Sequence, residues 1–284
     1  METTPYPSDS LNRLHHELLN ILKAFDQACK KANLTYFIEG GTALGARRHE
    51  GFIPWDDDVD VCMPADDYQR MLQILPQYLP EGYTLHTWKN TPNYSRLWAT
   101  IWRDNTRFQD NVAVEADMNQ GIFLDIFCLV RLDRDPGIAA RQRRRLIFWQ
   151  RMAYLKYITH PHNVPNRALE AACVAAHEVV RFVPMTYIVK MFERACHTNS
   201  PGDLTVDATY ADYEPIPAQD LLPPKPVQFE DIQVMGPRNI EAYLTATYGD
   251  WKELPPADKR YTHAPEVLDF GDGINVVEAT KRQS

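Results

Sequence analysis

Residues 36–63 read YFIEGGTALGARRHEGFIPWDDDVDVCM, and this stretch decides the fold of the 284-residue chain. The apolar run at 36–38 predicts a short buried strand that ends at Gly40 and Gly41. Two adjacent glycines let the backbone turn sharply, so that their N–H groups can approach an anionic ligand closely. The sequence therefore predicts a strand, a glycine turn and an anion site in direct succession.

The residues after the glycine turn extend this predicted anion site. Thr42 is expected to N-cap the helix that follows, and a helix N-terminus behind a glycine turn is a ready site for phosphate. Arg48 and His49 follow a few residues later and would add cationic or donor side chains. We therefore expect one phosphate cradle made of Gly40, Gly41, Thr42, Arg48 and His49.

The closing residues of the stretch, 56–61, read DDDVDV. If residues 58–62 form a strand, alternation places Asp58 and Asp60 on one face, with the valines on the other. Two carboxylates about 4 Å apart repel by roughly 1 kcal/mol in water and roughly 4 kcal/mol at an effective dielectric near 20. A hard divalent cation with oxygen ligands usually offsets such repulsion. A solvated acidic turn is the alternative, and the Asp run alone leaves it open.

A single acid lies inside a later apolar run, GIFLDIF at residues 121–127. This run predicts a buried strand, and an ionised Asp within it is costly to bury unless it is paired or bound to metal. Asp125 is therefore the candidate for a third metal carboxylate. A structural Asp that caps a turn is the alternative.

The motif GGTALGARRHEGFIPWDDDVDV at residues 40–61 resembles the signature of the LicD family of phosphocholine transferases, which is similar to fukutin-type proteins. That family belongs to the nucleotidyltransferase superfamily. The resemblance implies an α+β fold, with a nucleotidyltransferase (DNA polymerase beta-like) core whose mixed β-sheet is flanked by helices, plus a helical insertion. The superfamily pattern maps its three carboxylates onto Asp58, Asp60 and Asp125.

The resemblance also implies a metal-dependent phosphotransferase. Its donor would be a CDP-activated alcohol, such as CDP-choline or CDP-ribitol, and its acceptor a hydroxyl of a glycan or lipid-linked glycan. Asp58, Asp60 and Asp125 would hold one or two Mg²⁺ (or Mn²⁺) ions, and one of these acids or the neighbouring Asp56 would take the acceptor proton. Arg103 would contact phosphate, since the family often carries an Arg-Asp-x-x-Thr-like segment there; a surface salt bridge is the alternative.

Two other functions stay open at this point. The first is a nucleotidyltransferase that transfers NMP from an NTP to its acceptor. The second is a non-catalytic binding module on the same fold. Because the acids expected in the motif are all present, the enzymatic functions are favoured over the binding module.

The chain is expected to fold as one compact unit with three parts. Residues 1–130 would form the nucleotidyltransferase-like catalytic core, beginning with an amphipathic helix over 9–32. Residues 131–200 would form a helical insertion that is basic at its start. Residues 201–284 would contain a proline-rich, irregular loop or lid up to about residue 226, followed by a C-terminal helical part that packs on the core.

Composition limits the partners and the location. The net charge of −8 argues against nucleic-acid binding. No apolar run approaches the roughly 20 residues of a transmembrane segment, and the polar residues 1–10 do not suggest a signal peptide. Five scattered cysteines favour a reducing compartment, so we expect a cytoplasmic protein. The basic segment 141–156 could contact the inner face of a membrane; a core helix with a solvated basic side is the alternative.

Overall fold

The computed structural model describes residues 6, 9–161, 164, 166–256, 260 and 262–281. Most of residues 1–10, on which the signal-peptide expectation rests, lie outside this range. The α-helices are α1 (Ser10–Ala32), α2 (Gly40–His49), α3 (Ala65–Ile74), α4 (Asn111–Glu115), α5 (Pro136–Tyr157), α6 (Arg167–Val180), α7 (Met185–Cys196), α8 (Ala218–Leu221), α9 (Ile240–Tyr248) and α10 (Val276–Lys281). The strands are β1 (Phe37–Ile38), β2 (Asp60–Pro64), β3 (Tyr83–His86), β4 (Ala99–Arg103), β5 (Arg107–Gln109), β6 (Phe123–Asp133), β7 (Pro201–Asp207), β8 (Ile216–Pro217), β9 (Lys225–Phe229), β10 (Ile232–Gly236) and β11 (Val267–Asp269).

The central feature is a seven-stranded mixed sheet built around β6, so the expectation of an α+β fold is confirmed. The strands run β1-β2-β6-β4-β3, and β7 also pairs with β6 and carries β8 beyond it. The β2–β6 pair is parallel, whereas the other pairs in this sheet are antiparallel. Because β4 pairs with 123–126 and β7 with 129–133, these two strands follow one another along the same edge of β6.

Helix α1 supplies a large part of the core. Apolar residues recur at helical spacing, and Leu14, Ile21, Leu22 and Phe25 are fully buried. Each such side chain stabilises the fold by about 1.5–3 kcal/mol relative to its exposed state. The helix predicted over residues 9–32 is therefore confirmed.

The segment around the glycine turn differs from expectation at both ends: helix α2 begins three residues earlier and strand β2 two residues later. Helix α2 begins at Gly40, since the N–H of Ala43 donates to the carbonyl of Glu39 (3.1 Å), so Thr42 lies inside the helix and is not its N-cap. Strand β2 begins at Asp60 and leaves Asp58 in the turn before it. The preceding Asp57 binds the C-terminal segment through hydrogen bonds, which holds this turn away from the sheet.

The prediction of an irregular loop over residues 198–226 was wrong. Residues 201–207 form β7, which extends the central sheet along β6, and residues 218–221 form α8. Prolines in this region lie at the ends of elements: Pro201 is the first residue of β7, where a missing N–H is tolerated. A proline-rich composition therefore does not exclude a strand within the central sheet.

Helices α5, α6 and α7 form a layer after β6, and Pro184 separates α6 from α7 as expected. In the described part of the chain no single helix is long and apolar enough to cross a membrane. The α6–α7 pair would pass by length and composition, but it is bent by 110°.

Candidate active site

Two predicted metal carboxylates lie side by side on the sheet. Asp60 at the start of β2 and Asp125 in β6 are register partners in a parallel pair, so both side chains project from one face of adjacent strands. Such strands are about 4.8 Å apart. Asp58, in the turn before β2, is near enough for its charge to act on both acids. The structure therefore brings together the three acids that the motif predicts.

The glycine turn lies directly against these acids. Gly40 has φ = 56°, and a Cβ atom there would lie 3.2 Å from Oδ2 of Asp60. At Gly41 a Cβ atom would lie 2.6 Å from Oδ2 of Asp56, closer than real Cβ contacts allow. The two glycines are therefore needed for the approach of α2 to the acids, in addition to any role in phosphate binding.

Helix α9 covers the same turn from the C-terminal part of the chain. The N–H of Gly40 donates to the hydroxyl of Tyr243 (2.7 Å). This N–H is therefore already hydrogen-bonded, whereas the sequence predicted that it would face an anionic ligand. Tyr248 lies on the other side, and its hydroxyl would be 3.9 Å from a Cβ atom on Gly40. Burial raises the pKa of Tyr248, and the charges of Asp60 and Asp56 raise it further.

The remaining residues of the expected phosphate cradle are divided between the two ends of α2. The Thr42 hydroxyl accepts a hydrogen bond from the N–H of Asp60 (2.9 Å) and so fixes the start of β2. Arg48 and His49 lie at the opposite end, about 13 Å along the helix from Gly40. There the Arg48 guanidinium donates to the carbonyl of Trp251 (3.1 Å). A role for Arg48 and His49 in phosphate binding stays a prediction.

Arg103 lies where it can form a surface salt bridge, which was the alternative to a phosphate contact. Its Nε atom lies 3.7 Å from Oε2 of Glu17, and its Nη1 donates to the carbonyl of Gly82 (3.2 Å). It lies three residues beyond Thr100, which is the register partner of Asp125. These contacts account for Arg103 without a phosphate.

Burial and mutual repulsion raise the pKa values of the clustered acids. Burial is the largest cause for Asp56 and Asp60, and the charge of Asp58 is the next for both. Burial also raises the pKa of Asp58, although the positive charge of His263 opposes it. For Asp125 burial raises the pKa to about 6 against the lowering effect of Arg96. A bound cation would relieve this repulsion.

Arg96, which was not predicted, is the buried cation beside Asp125. Its side chain is 8% exposed, and its Nη1 atom lies 3.9 Å from Oδ1 of Asp125. Within the described ranges neither of these two buried atoms has a hydrogen-bond partner. Burial alone would lower the pKa of the guanidinium, but Asp125 and Asp110 raise it above its usual value. Nothing in the sequence marks this arginine as buried.

His263 was also missed, and it neutralises part of the acidic turn. Its Nδ1 atom lies 2.9 Å from Oδ1 of Asp57 and 3.6 Å from Oδ2 of Asp58. Burial lowers the pKa of the ring, yet Asp58 and Asp57 raise it to about 10. Ligand atoms of Asp57, Asp58 and His263 lie within 4.8 Å of one another, as in a metal site. The 2.9 Å contact between Nδ1 of His263 and the Asp57 carboxylate also has the geometry of a hydrogen-bonded ion pair.

A second carboxyl pair extends the acidic surface and was not predicted. Asp207 is the register partner of Leu129, two positions beyond Phe127 on the same face of β6 as Asp125. Burial raises the pKa of Asp207 to about 7. Burial also raises the pKa of Glu39 at the start of α2, and the charge of Asp207 is the next cause. We call Asp56, Asp58, Asp60, Asp125, Glu39 and Asp207 together the acidic face.

Aromatic side chains border the acidic face where β7 ends and β4 begins. The rings of Tyr210 and Tyr213 are stacked 5.5 Å apart, and Phe127 meets Tyr210 edge-on at 5.5 Å. Tyr213 is 61% exposed. Arg143 of α5 fixes this turn by donating to the carbonyls of Ala211 (2.7 Å) and Tyr213 (2.8 Å). The site thus combines an acidic surface with an accessible aromatic edge.

Comparisons with known proteins agree with this geometry. The model of the LicD/FKTN/FKRP nucleotidyltransferase domain matches residues 33–135. The chain is 26% identical over 262 residues to the lipopolysaccharide cholinephosphotransferase LicD of Haemophilus influenzae, covering 86% of this chain and 92% of that protein. It is also 44% identical over 68 residues to an uncharacterized protein of Rickettsia prowazekii, covering 24% of this chain and 26% of that protein. These matches confirm the resemblance to the LicD family that the glycine and aspartate motif predicted, and the match to the family model lies in residues 33–135.

Proposed function

We propose that this protein is a metal-dependent phosphotransferase that moves phosphocholine from CDP-choline to a hydroxyl of a glycan or glycolipid. One observation carries the proposal: Asp60 and Asp125 lie side by side, with Asp58 next to them, beneath the glycine turn of a LicD-type domain. The similarity to a lipopolysaccharide cholinephosphotransferase over most of the chain supports phosphocholine and a glycolipid as the two substrates.

The arrangement of strands supports a nucleotidyltransferase-like core. A short strand, the glycine turn, helix α2 and the acidic strand β2 follow one another, and the third acid lies on the adjacent strand β6. This order is the one that the superfamily pattern implies. On this proposal residues 1–130 are the catalytic core, 131–200 a helical insertion, and 201–284 a part that completes the site with Tyr210, Tyr243 and Tyr248.

A divalent cation fits the acids that are present. Oδ1 of Asp125 is buried and, in the described part of the chain, has no hydrogen-bond partner. Asp58, Asp60 and Asp125 would hold Mg²⁺ or Mn²⁺, which prefer carboxylate oxygens. The bound cation would neutralise the donor pyrophosphate and stabilise the charge that develops on the departing CMP. Arg96 would keep Asp125 ionised from its buried side.

Asp56 is the proposed general base. Its carboxylate lies against Gly41 at the N-terminus of α2, and burial and the charge of Asp58 raise its pKa, which makes it a stronger base than an ordinary carboxylate. The acceptor hydroxyl would lose its proton to Asp56 as its oxygen attacks the phosphorus of the phosphocholine group, and the bond from that phosphorus to CMP breaks. The amide groups of Gly41 and Thr42, which follow the engaged amide of Gly40, would orient the phosphates.

The aromatic edge supports choline over ribitol as the donor alcohol. A quaternary ammonium group binds well to the faces of aromatic rings, and nearby carboxylates increase this attraction. Tyr210 and Tyr213 offer accessible rings. Burial raises the pKa of the Tyr210 hydroxyl, and the negative charges of Asp60, Asp207 and Asp125 raise it further, so these carboxylates lie near the ring. A ribitol chain would instead require several hydrogen-bonding partners.

Free cysteines support a reducing, cytoplasmic location on this proposal. Cys29, Cys62 and Cys128 are buried as thiols, and Cys173 and Cys196 are also free. CDP-choline and the acidic metal site would then be used on the cytoplasmic side.

The test is a transfer reaction with CDP-choline, Mg²⁺ and a lipopolysaccharide acceptor, followed by mass spectrometry of the acceptor. The proposal expects the acceptor to gain phosphocholine and CMP to appear in equal amount. Addition of a nucleoside monophosphate to the acceptor would instead support the nucleotidyltransferase alternative. Metal and nucleotide binding without product formation, over a panel of CDP-alcohols and acceptors, would support the binding-module alternative.

A further inference from the structure

Helices α5, α6 and α7 form a cationic layer in an acidic protein. Residues 136–196 contain ten Lys and Arg but only three Glu and no Asp, whereas the whole chain has 30 Lys and Arg and 38 Asp and Glu. The layer therefore carries a positive charge, and the rest of the molecule is strongly negative. Such a division of charge within one compact chain indicates contact with an anionic surface.

The same layer exposes apolar side chains that the fold leaves uncovered. In helix α6, which consists mainly of Ala and Val, Val180 is the one buried residue. Val179 is 69% exposed, and Phe182 in the turn after α6 is 74% exposed. Side chains of this kind are rarely grouped on a soluble surface unless something covers them.

Cationic side chains surround the exposed aromatic residues. Phe148 of α5 is 51% exposed, and Arg144, Arg145 and Arg151 lie four and three positions before it and three after it, on the same side of the helix. Trp149 links it to Tyr187 of α7 through ring contacts at 4.9 and 5.8 Å. At the α6–α7 turn Arg181 lies over the ring of Phe182, 4.8 Å from its centre.

We propose that this cationic layer binds the surface of an anionic lipid bilayer, with Val179 and Phe182 inserted among the headgroups and the arginines of α5 close to lipid phosphates. Aromatic side chains together with Lys and Arg are typical of surfaces that lie in a membrane interface. A second copy of the chain is a poorer occupant, because two identical cationic surfaces would repel each other.

The layer is also joined to the rim of the acidic face. On its inner side Ala153, Ile188 and Val189 pack with Leu97, which precedes Trp98 and follows Arg96. Lys156 ties the α6–α7 turn to α5 by donating to the carbonyls of Arg181 (2.7 Å) and Val183 (2.9 Å). A layer bound to the bilayer would therefore hold the site close to a lipid-linked acceptor.

The inference does not rest on turnover, because binding to vesicles is measured without substrates. The full chain should sediment with phosphatidylglycerol-containing vesicles and stay in solution with pure phosphatidylcholine vesicles, and added salt should release it. Charge reversal at Arg144 and Arg145 should weaken binding by about fivefold or more for each residue. Val179→Ser with Phe182→Ser should also weaken it, because the inserted apolar area is lost.

Controls separate this result from folding defects and from the proposed reaction. Arg238→Glu reverses an exposed charge outside the layer and should leave vesicle binding unchanged. Thermal unfolding should be the same for all variants, since the substituted side chains are exposed. Transfer to a lipid-free glycan acceptor should also be the same in all variants. If the unsubstituted protein does not catalyse this transfer, the proposed function is contradicted, but the result of the vesicle-binding experiment still stands.

Two results would overturn the inference. The first is equal sedimentation with anionic and neutral vesicles, or sedimentation that the Arg144 and Arg145 reversals do not change. The second is a stable dimer in analytical ultracentrifugation that Val179→Ser with Phe182→Ser dissociates, because the cover would then be a second copy of the chain.

Discussion

The acidic face and the cationic layer are unfavourable for opposite reasons, because the first withdraws like charges from water and the second exposes apolar side chains to it. On the acidic face, like charges are packed together and at least half-buried, with Arg96 and His263 as the cations at its edges. In the cationic layer apolar side chains such as Phe182 remain in solvent among positive charges. Both arrangements are costly for the isolated chain. On our proposals each would become favourable with a ligand: a metal and an anionic donor on one side, and an anionic bilayer on the other.

The largest expected effect tests the acidic face. Asp60→Asn or Asp125→Asn removes a carboxylate that would hold the cation, and phosphocholine transfer should fall by about 1,000-fold. Stability should be equal or higher in Asp60→Asn, since repulsion from Asp58 and Asp125 is relieved, and lower in Asp125→Asn, because the buried Arg96 loses its nearest carboxylate. Initial rates and thermal unfolding measure both changes. Asp203→Asn, at an exposed position of β7, is the matched control, and full activity in Asp125→Asn would remove this acid from the site.

The second effect tests the close approach of α2 to the acids. Gly41→Ala places a methyl group only 2.6 Å from Oδ2 of Asp56, so the carboxylate must move. A shift of about 1 Å in a reacting group can cost about 100-fold in rate, and we expect a loss of that size in kcat. Gly137→Ala at the start of α5, where the nearest atom is a side-chain oxygen at 3.1 Å, is the control. Equal activity of both variants would contradict the positioning role.

A third prediction concerns the dependence of stability on pH. Burial raises the pKa of Asp207 to about 7, above its value in the unfolded chain, so the neutral acid stabilises the fold below about pH 4. This stabilisation is lost as the pH rises through about 7, because the unfolded chain releases the proton more readily. Asp207→Asn should therefore raise the melting temperature at about pH 8 more than at about pH 4. An equal change at both pH values would show that Asp207 is not buried as a neutral acid.

A smaller effect should follow at the aromatic edge. Tyr213→Leu should lower the preference for CDP-choline over its neutral 3,3-dimethylbutyl analogue by about two- to fivefold, since a cation–aromatic contact contributes about 0.5–1 kcal/mol at an exposed site. The ratio of kcat/KM for the two donors measures it. Arg143→Ala, which frees the Tyr213 turn, should change the ratio in the same direction, whereas Arg144→Ala on the exposed side of α5 should leave it unchanged. A constant ratio in all three variants would exclude the tyrosines from choline recognition.

The smallest effect is expected for Arg103. Its ion pair with Glu17 lies on the surface, where such pairs contribute about 0–1 kcal/mol. Arg103→Ala should change kcat/KM for CDP-choline by no more than about twofold and should lower stability slightly. A large rise in KM would instead restore the phosphate contact that the sequence first suggested.

The two regions differ in how far the sequence predicts them. The acidic strand, the glycine turn and Asp125 in its apolar run are local patterns, because backbone alternation fixes which side chains share a face. The start of α2 at Gly40 depends on Tyr243, some 200 residues away, and local sequence does not contain that contact. The same is true of Arg96 and His263, whose roles come from charges that tertiary structure brings near.

The cationic layer shows the opposite limit. The helices α5, α6 and α7 and the break at Pro184 follow from periodicity and proline placement. Which helix is uncovered does not follow from these patterns, because the Ala- and Val-rich sequence of α6 is equally typical of a buried helix. The sequence therefore indicates a membrane contact only for the basic segment 141–156, although the most exposed apolar residues, Val179 and Phe182, lie beyond it.

Metal binding at the acidic face tests the central claim most directly. Electron paramagnetic resonance of Mn²⁺, titrated with protein in the presence of CDP-choline, reports bound and free metal without requiring turnover. The account predicts that the unsubstituted chain binds Mn²⁺ and that Asp60→Asn and Asp125→Asn each weaken binding at least tenfold, while Asp203→Asn binds normally. Undiminished Mn²⁺ binding in both Asp60→Asn and Asp125→Asn would contradict the account.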